Sequence, residues 1–91
     1  MYEIKPLQRK NAKKIGVTIK PSTRKGKKID VFKDGKKIAS VGALGYGDYA
    51  TFLKEKGREF ADKRRRLYKI RHEKNRKKIG TNSYYADQIL W

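Results

Sequence analysis

Uncompensated positive charge constrains this chain more than any other feature. Lys and Arg supply 26 of the 91 residues, Asp and Glu only 9, and the net charge is +17. At about one net positive charge per five residues, a compact state repels itself and is drawn to any polyanion. Hydrophobic residues make up 36% of the chain and charged residues 38%. The core must therefore be small, and the length supports one domain, residues 1–91. Part of the order is expected to come from a partner. The polyanions open to such a chain are nucleic acid, an anionic membrane surface and an acidic protein face.

Several chemistries are unsupported. With no cysteine there is no disulfide, thiolate nucleophile or Cys-based metal site, which fits a reducing compartment. The opening residues Met1 to Pro6 carry no apolar segment of the kind a secretory signal needs. The apolar runs are far too short for a membrane span. His72 is the single histidine and has few acidic neighbours, so no metal site is expected. The run Gly42 to Gly47 is glycine-rich but is followed by no Lys-Ser/Thr pair, and reads as a flexible joint. Glu55, Glu59 and Asp62 fall at helical spacing and read as ion-pair partners for nearby cations, not as an acid/base pair. The expectation is a protein that is not an enzyme, with no cofactor and no small-molecule substrate.

Periodicity predicts an α+β fold: a small N-terminal three-stranded antiparallel β-meander over 14–42, then two or three α-helices. Residues 1–13 read as a basic N-terminal arm. Lys14 to Lys20 alternates, placing Ile15, Val17 and Ile19 on one face, and Pro21 stops it. Ile29 to Lys33 and Ile38 to Val41 are the other two strands. Asp34-Gly35 between them is the signature of a two-residue type I′ turn, which needs positive φ at both positions. That turn pairs Val31 with Ile38, Ile29 with Ser40 and Phe32 with Lys37. Gly42, Gly45 and Gly47 break the sheet.

Asp48 is placed to cap a helix beginning at Tyr49, and residues 48–79 read as a helical basic region. Leu53, Phe60 and Leu67 recur every seven residues, and Phe60, Ala61, Leu67 and Tyr68 share one helix face turned to the core. Gly57 interrupts this pattern, and two helices on either side of it are preferred over one. Gly80 is a helix stop, and Thr81-Asn82-Ser83 can cap a last helix from Tyr84 to Leu90.

Two segments carry the candidate sites. Lys63 to Lys78 holds ten basic residues and one acid, Glu73. Solvated helix faces normally mix signs, and this one does not. Lys63, Arg64, Arg65, Arg66, Lys69, Arg71, Lys74, Arg76, Lys77 and Lys78 are therefore the expected polyanion-binding residues, with arginine forks suited to phosphate or carboxylate. Basic residues are also spread over the arm, the loop at Arg24 to Lys28 and the hairpin at Lys33 to Lys37. That spread favours contact with bulk charge over reading of bases by one groove-entering helix. The second segment is the aromatic C-terminal tail, 83–91. Tyr84, Tyr85, Ile89, Leu90 and Trp91 either close the domain's own core or anchor it to a partner.

The string Arg65-Arg66-Leu67-Tyr68-Lys69-Ile70-Arg71-His72, followed by Gly80-Thr81-Asn82-Ser83-Tyr84-Tyr85-Ala86-Asp87-Gln88-Ile89-Leu90-Trp91, resembles a recurrent pattern. It is that of small basic proteins of large nucleocytoplasmic DNA viruses, of the chlorella-virus and mimivirus kind. The resemblance covers residues 45–91 and rests on Arg65, Arg66, Tyr68, Arg71, His72, Tyr84, Tyr85, Leu90 and Trp91. It implies a virion protein made in the host cytoplasm, a minor capsid or core component. Its partners would be capsid proteins or other acidic protein surfaces, or DNA bound without sequence preference. A free nucleic-acid-binding protein of the DNA-compacting or ribosomal type is the alternative.

Overall fold

In the computed structural model, which describes residues 2–91, the first element is a helix where the sequence reading expects an arm. α1 spans Pro6–Lys14. Proline at its first position needs no hydrogen-bond donor, and the Gln8 side chain accepts from the Lys5 backbone N–H at 2.9 Å. Lys13 and Lys14 in its last turn complement the helix dipole. Only Gln8 and Ala12 of this helix are buried, so its sequence carries little apolar periodicity. Gly16, at φ +76°, ends it. Met1 lies outside the described residues.

Because α1 takes Lys14 and Gly16 turns the chain, the first strand starts late. β1 is Thr18–Pro21, β2 Lys27–Lys33 and β3 Lys36–Ala43. They form the expected antiparallel sheet in the order β1-β2-β3. Pro21 stops β1 as expected, but as its last paired residue, opposite Ile29, where an edge strand tolerates it. Asp34 and Gly35 have φ of +53° and +77°, as a type I′ turn requires.

The register departs from the expected one beyond that turn. Phe32 faces Lys37, but a bulge leaves Ile38 unpaired, so Val31 faces Ala39 and Ile29 faces Val41. The pairings Val31–Ile38 and Ile29–Ser40 do not form. The bulge moves Ser40 opposite Asp30, whose carboxylate accepts from its hydroxyl at 2.7 Å, and matches aliphatic residues with each other. Gly42 does not break the sheet: it lies inside β3 at φ +78°. A Cβ there would come within 2.9 Å of Leu90 and 3.0 Å of Lys28.

One face of the sheet carries Ile19, Ile29, Val31, Ala39 and Val41 into a core closed by Ala12 of α1 and by Tyr85, Ile89 and Leu90 of the last helix. α4 is Asn82–Leu90, capped by the Thr81 hydroxyl, which accepts from the Tyr84 N–H. The C-terminal tail therefore serves this chain's own core. Burial removes Tyr85, Ile89 and Leu90 from the expected partner interface, while Tyr84 and Trp91 stay half-buried.

Along the chain, between β3 and α4, comes a helical hairpin. α2, Tyr49–Lys56, is capped by Asp48, which accepts from the Thr51 N–H at 2.9 Å. Gly57, at φ +90°, separates it from α3, Arg58–Arg71. The helical region thus ends at Arg71, short of residue 79. Residues 72–81 wind through turns, where like charges crowd around Asn75, a weak helix former, and Arg76 is drawn inward. The expected core stripe also shifts. Of the expected residues Ala61 is buried and Tyr68 half-buried, whereas Leu53, Phe60 and Leu67 remain 37%, 41% and 44% exposed.

Candidate polyanion surface and aromatic cleft

The ten candidate cations divide into two sets. The first set is used internally. Lys69 donates to the buried carboxylate of Asp87 at 2.6 Å, and Arg76 approaches the same carboxylate at 3.7 Å. Lys77 pairs with Glu73 at 2.9 Å, and so does Arg76 at 2.8 Å. Arg65 lies over Tyr49, its guanidinium carbon 3.5 Å from the ring centroid, while the Tyr49 hydroxyl donates to Asp62 at 2.7 Å. The second set points to solvent. Lys63, Arg64, Arg66, Arg71, Lys74 and Lys78 are exposed and form no salt bridge among the described residues.

The same division holds for the acids. Asp48 is fully buried and accepts from the Tyr2 hydroxyl at 2.6 Å and the Lys28 ammonium at 2.9 Å. Burial opposes its charge, but the Tyr2 hydroxyl, the Thr51 N–H and Lys28 outweigh burial and hold its pKa below the ordinary value. Burial and this carboxylate push the Tyr2 hydroxyl up to about 12. Asp30 and Asp87 are likewise buried against internal donors. Three carboxylates are thus withdrawn from the surface, which leaves the exterior more uniformly cationic than the composition alone implies.

α3 turns one side toward a cleft that sequence reasoning does not assemble. Arg64, Tyr68, Arg71 and His72 follow at i, i+4, i+7 and i+8, the spacing of one helix face. They line a cleft of about 390 Å³ whose other walls are Tyr46 and Gly47 of the β3–α2 connection, Phe52 of α2, Lys28 of β2, and Trp91. The rings are mutually packed. Tyr68 stacks on Trp91 at 4.6 Å between centroids with planes 8° apart, and on His72 at 4.3 Å. Phe52 meets Trp91 at 6.0 Å, and Arg64 stands 5.7 Å over the Phe52 ring. Burial and the charge of Asp87 raise the Tyr68 hydroxyl above its ordinary pKa against the opposing pull of Arg71.

Tyr68, Arg71, His72 and Trp91, four of the residues that carry the viral resemblance, converge at this cleft. Arg65 and Arg66 do not join them: one lies under α3 on Tyr49 and the other points outward. Tyr46 and Phe52 are the residues the sequence reading misses. Their signal is Gly47, where a Cβ would fall 2.1 Å from the Phe52 ring, so glycine alone admits that ring. No cluster of three or more His, Cys, Asp or Glu able to hold a metal occurs among the described residues. Among the same residues no helix is long and apolar enough to cross a membrane.

Comparison with protein-family models, with curated proteins and with solved structures finds no match to this chain.

Proposed function

We propose that this chain is a structural, non-enzymatic virion protein that faces the packaged genome and binds the nucleic-acid backbone without reading sequence. The observation that carries the reading is the set of exposed cations Lys63, Arg64, Arg66, Arg71, Lys74 and Lys78, in no salt bridge among the described residues, while the one acid within 63–78, Glu73, is already paired and Asp87 is buried. Phosphate is the anion such a surface meets best, because lysines and arginines displace condensed counterions when they bind it. The buried acids fit a structural role: Asp30, Asp48 and Asp87 are each satisfied by internal donors and tie elements together. The resemblance to basic virion proteins supplies the setting.

The test is salt extraction of purified particles. After the outer shell is stripped, the chain stays with the genome-containing core at low salt and is released as salt rises, with a steep dependence. Absence from particles, or retention indifferent to salt and to nuclease, overturns the reading. A second reading, bridging between capsid subunits, draws on Phe60, Leu67 and Ile70, which α3 leaves exposed among its cations. On that reading the chain leaves with the stripped shell.

A further inference from the structure

The exposed cations account for contact with a phosphate backbone but not for the cleft. A backbone-gripping surface needs no aromatic wall. Here Phe52, Tyr68 and Trp91 are brought together from α2, α3 and the C-terminal end, with Tyr46 at the lip, 76% exposed. The volume of about 390 Å³ falls at the lower end of the range of small-ligand sites, roughly 300–1,000 Å³, which excludes a duplex but admits one nucleotide. Tyr68 already stacks on Trp91 and His72, so the ring open to a planar ligand is that of Tyr46, backed by this packed wall, and the cations Arg64 and Arg71 lining the cleft suit an anionic group attached to it. A carboxylate-bearing peptide would use the arginines but leave the Tyr46 ring idle.

Resting on the nucleic-acid reading above, we propose that the cleft seats a single unpaired nucleotide of a nucleic-acid strand. The base packs against Tyr46 at the edge of the aromatic wall, and its phosphate lies between Arg64 and Arg71. The chain thereby prefers single strands, ends or flipped-out positions to uninterrupted duplex, with little choice among bases.

Trp91 is the only tryptophan and stands in the cleft, so its fluorescence reports occupancy directly. The experiment titrates the full chain with an oligothymidylate and with an abasic deoxyribose-phosphate oligomer of equal length and charge. The oligothymidylate is expected to bind about tenfold tighter and to quench Trp91, from the usual contribution of base–aromatic stacking. Tyr46→Ser and Arg71→Gln are both at exposed positions and so harmless to folding: Tyr46→Ser is expected to reduce that preference several-fold, and Arg71→Gln to weaken both oligomers alike. Equal affinity for the two oligomers overturns the cleft proposal and leaves backbone binding standing. Full base preference in Tyr46→Ser overturns it as well. No affinity for either oligomer at low salt removes this proposal and the nucleic-acid reading together.

Discussion

Asp30 sits at the centre of the sheet, 2% exposed, and accepts from Ser22, Ser40 and the Thr23 N–H with Lys37 at 3.5 Å. Burial works against its charge, yet these donors together hold its pKa at about 2, below the ordinary 3.8. A carboxyl whose folded pKa is depressed stabilises the fold wherever it is ionised in both states. The contribution is complete above about pH 4 and is lost as pH falls toward 2, because the unfolded chain takes up the proton first. The size is about 2 kcal/mol. Asp30→Asn should therefore be less stable than the parent at neutral pH by about this amount, and the gap should close by about pH 2. Urea unfolding midpoints across that range check it, and a gap that is flat with pH would show that Asp30 is held by packing alone.

At the scale of elements, α4 takes the core-closing one of the two roles its sequence allows, and α3 gives up much of the core stripe its spacing advertises. Leu53, Phe60 and Leu67 share a seven-residue spacing that reads as a core stripe, yet Gly57 puts Leu53 on a separate helix and all three stay over a third exposed. The short α4 buries Tyr85, Ile89 and Leu90 against the sheet and holds α3 through Asp87 and Lys69. Ile89→Ala should cost about 2–5 kcal/mol as a core truncation, while Leu67→Ala should change stability by about 0.5 kcal/mol or less. Thermal unfolding of the two variants side by side distinguishes the arrangements, since a core role for α3's stripe would make their costs similar. The comparison also marks what is legible in the sequence. The meander, the Asp34-Gly35 turn, the Asp48 cap and the break at Gly57 are local signals written in neighbouring residues, and each is present in the fold. α1 is not legible because it buries only Gln8 and Ala12, and Gln8 is satisfied by Tyr2 and Lys5, a pairing no periodicity encodes. The bulge at Ile38 is decided by the match of Ser40 to Asp30 across strands. The cleft is the least legible of all, because its walls come from β2, the β3–α2 connection, α2, α3 and Trp91.

Across the whole molecule the cations that equip the surface also strain the fold. Among the described residues Asp30, Asp48, Asp62, Glu73 and Asp87 pair with six cations, Lys28, Lys37, Arg58, Lys69, Arg76 and Lys77, and most of the remaining positive charge faces solvent. The core holding this together is a single small cluster on one face of a three-stranded sheet. Repulsion among surface charges acts over distances that salt screens, whereas the buried pairs of Asp48 and Asp87 are screened much less. Added salt should therefore stabilise the isolated chain even as it weakens any grip on nucleic acid. Raising sodium chloride from about 0.01 to 0.2 M shortens the screening length from about 30 Å to under 10 Å and should raise Tm by about 5 °C, as relief of roughly 1 kcal/mol does in a domain of this size. A polyanion at low ionic strength should do the same by neutralising the cations locally, and the two effects should not add. Calorimetric scans with salt, with a short nucleic-acid oligomer and with both measure this directly. A Tm that falls with salt would mean that attraction, not repulsion, governs the surface, and the charge would then need a role inside the folded chain.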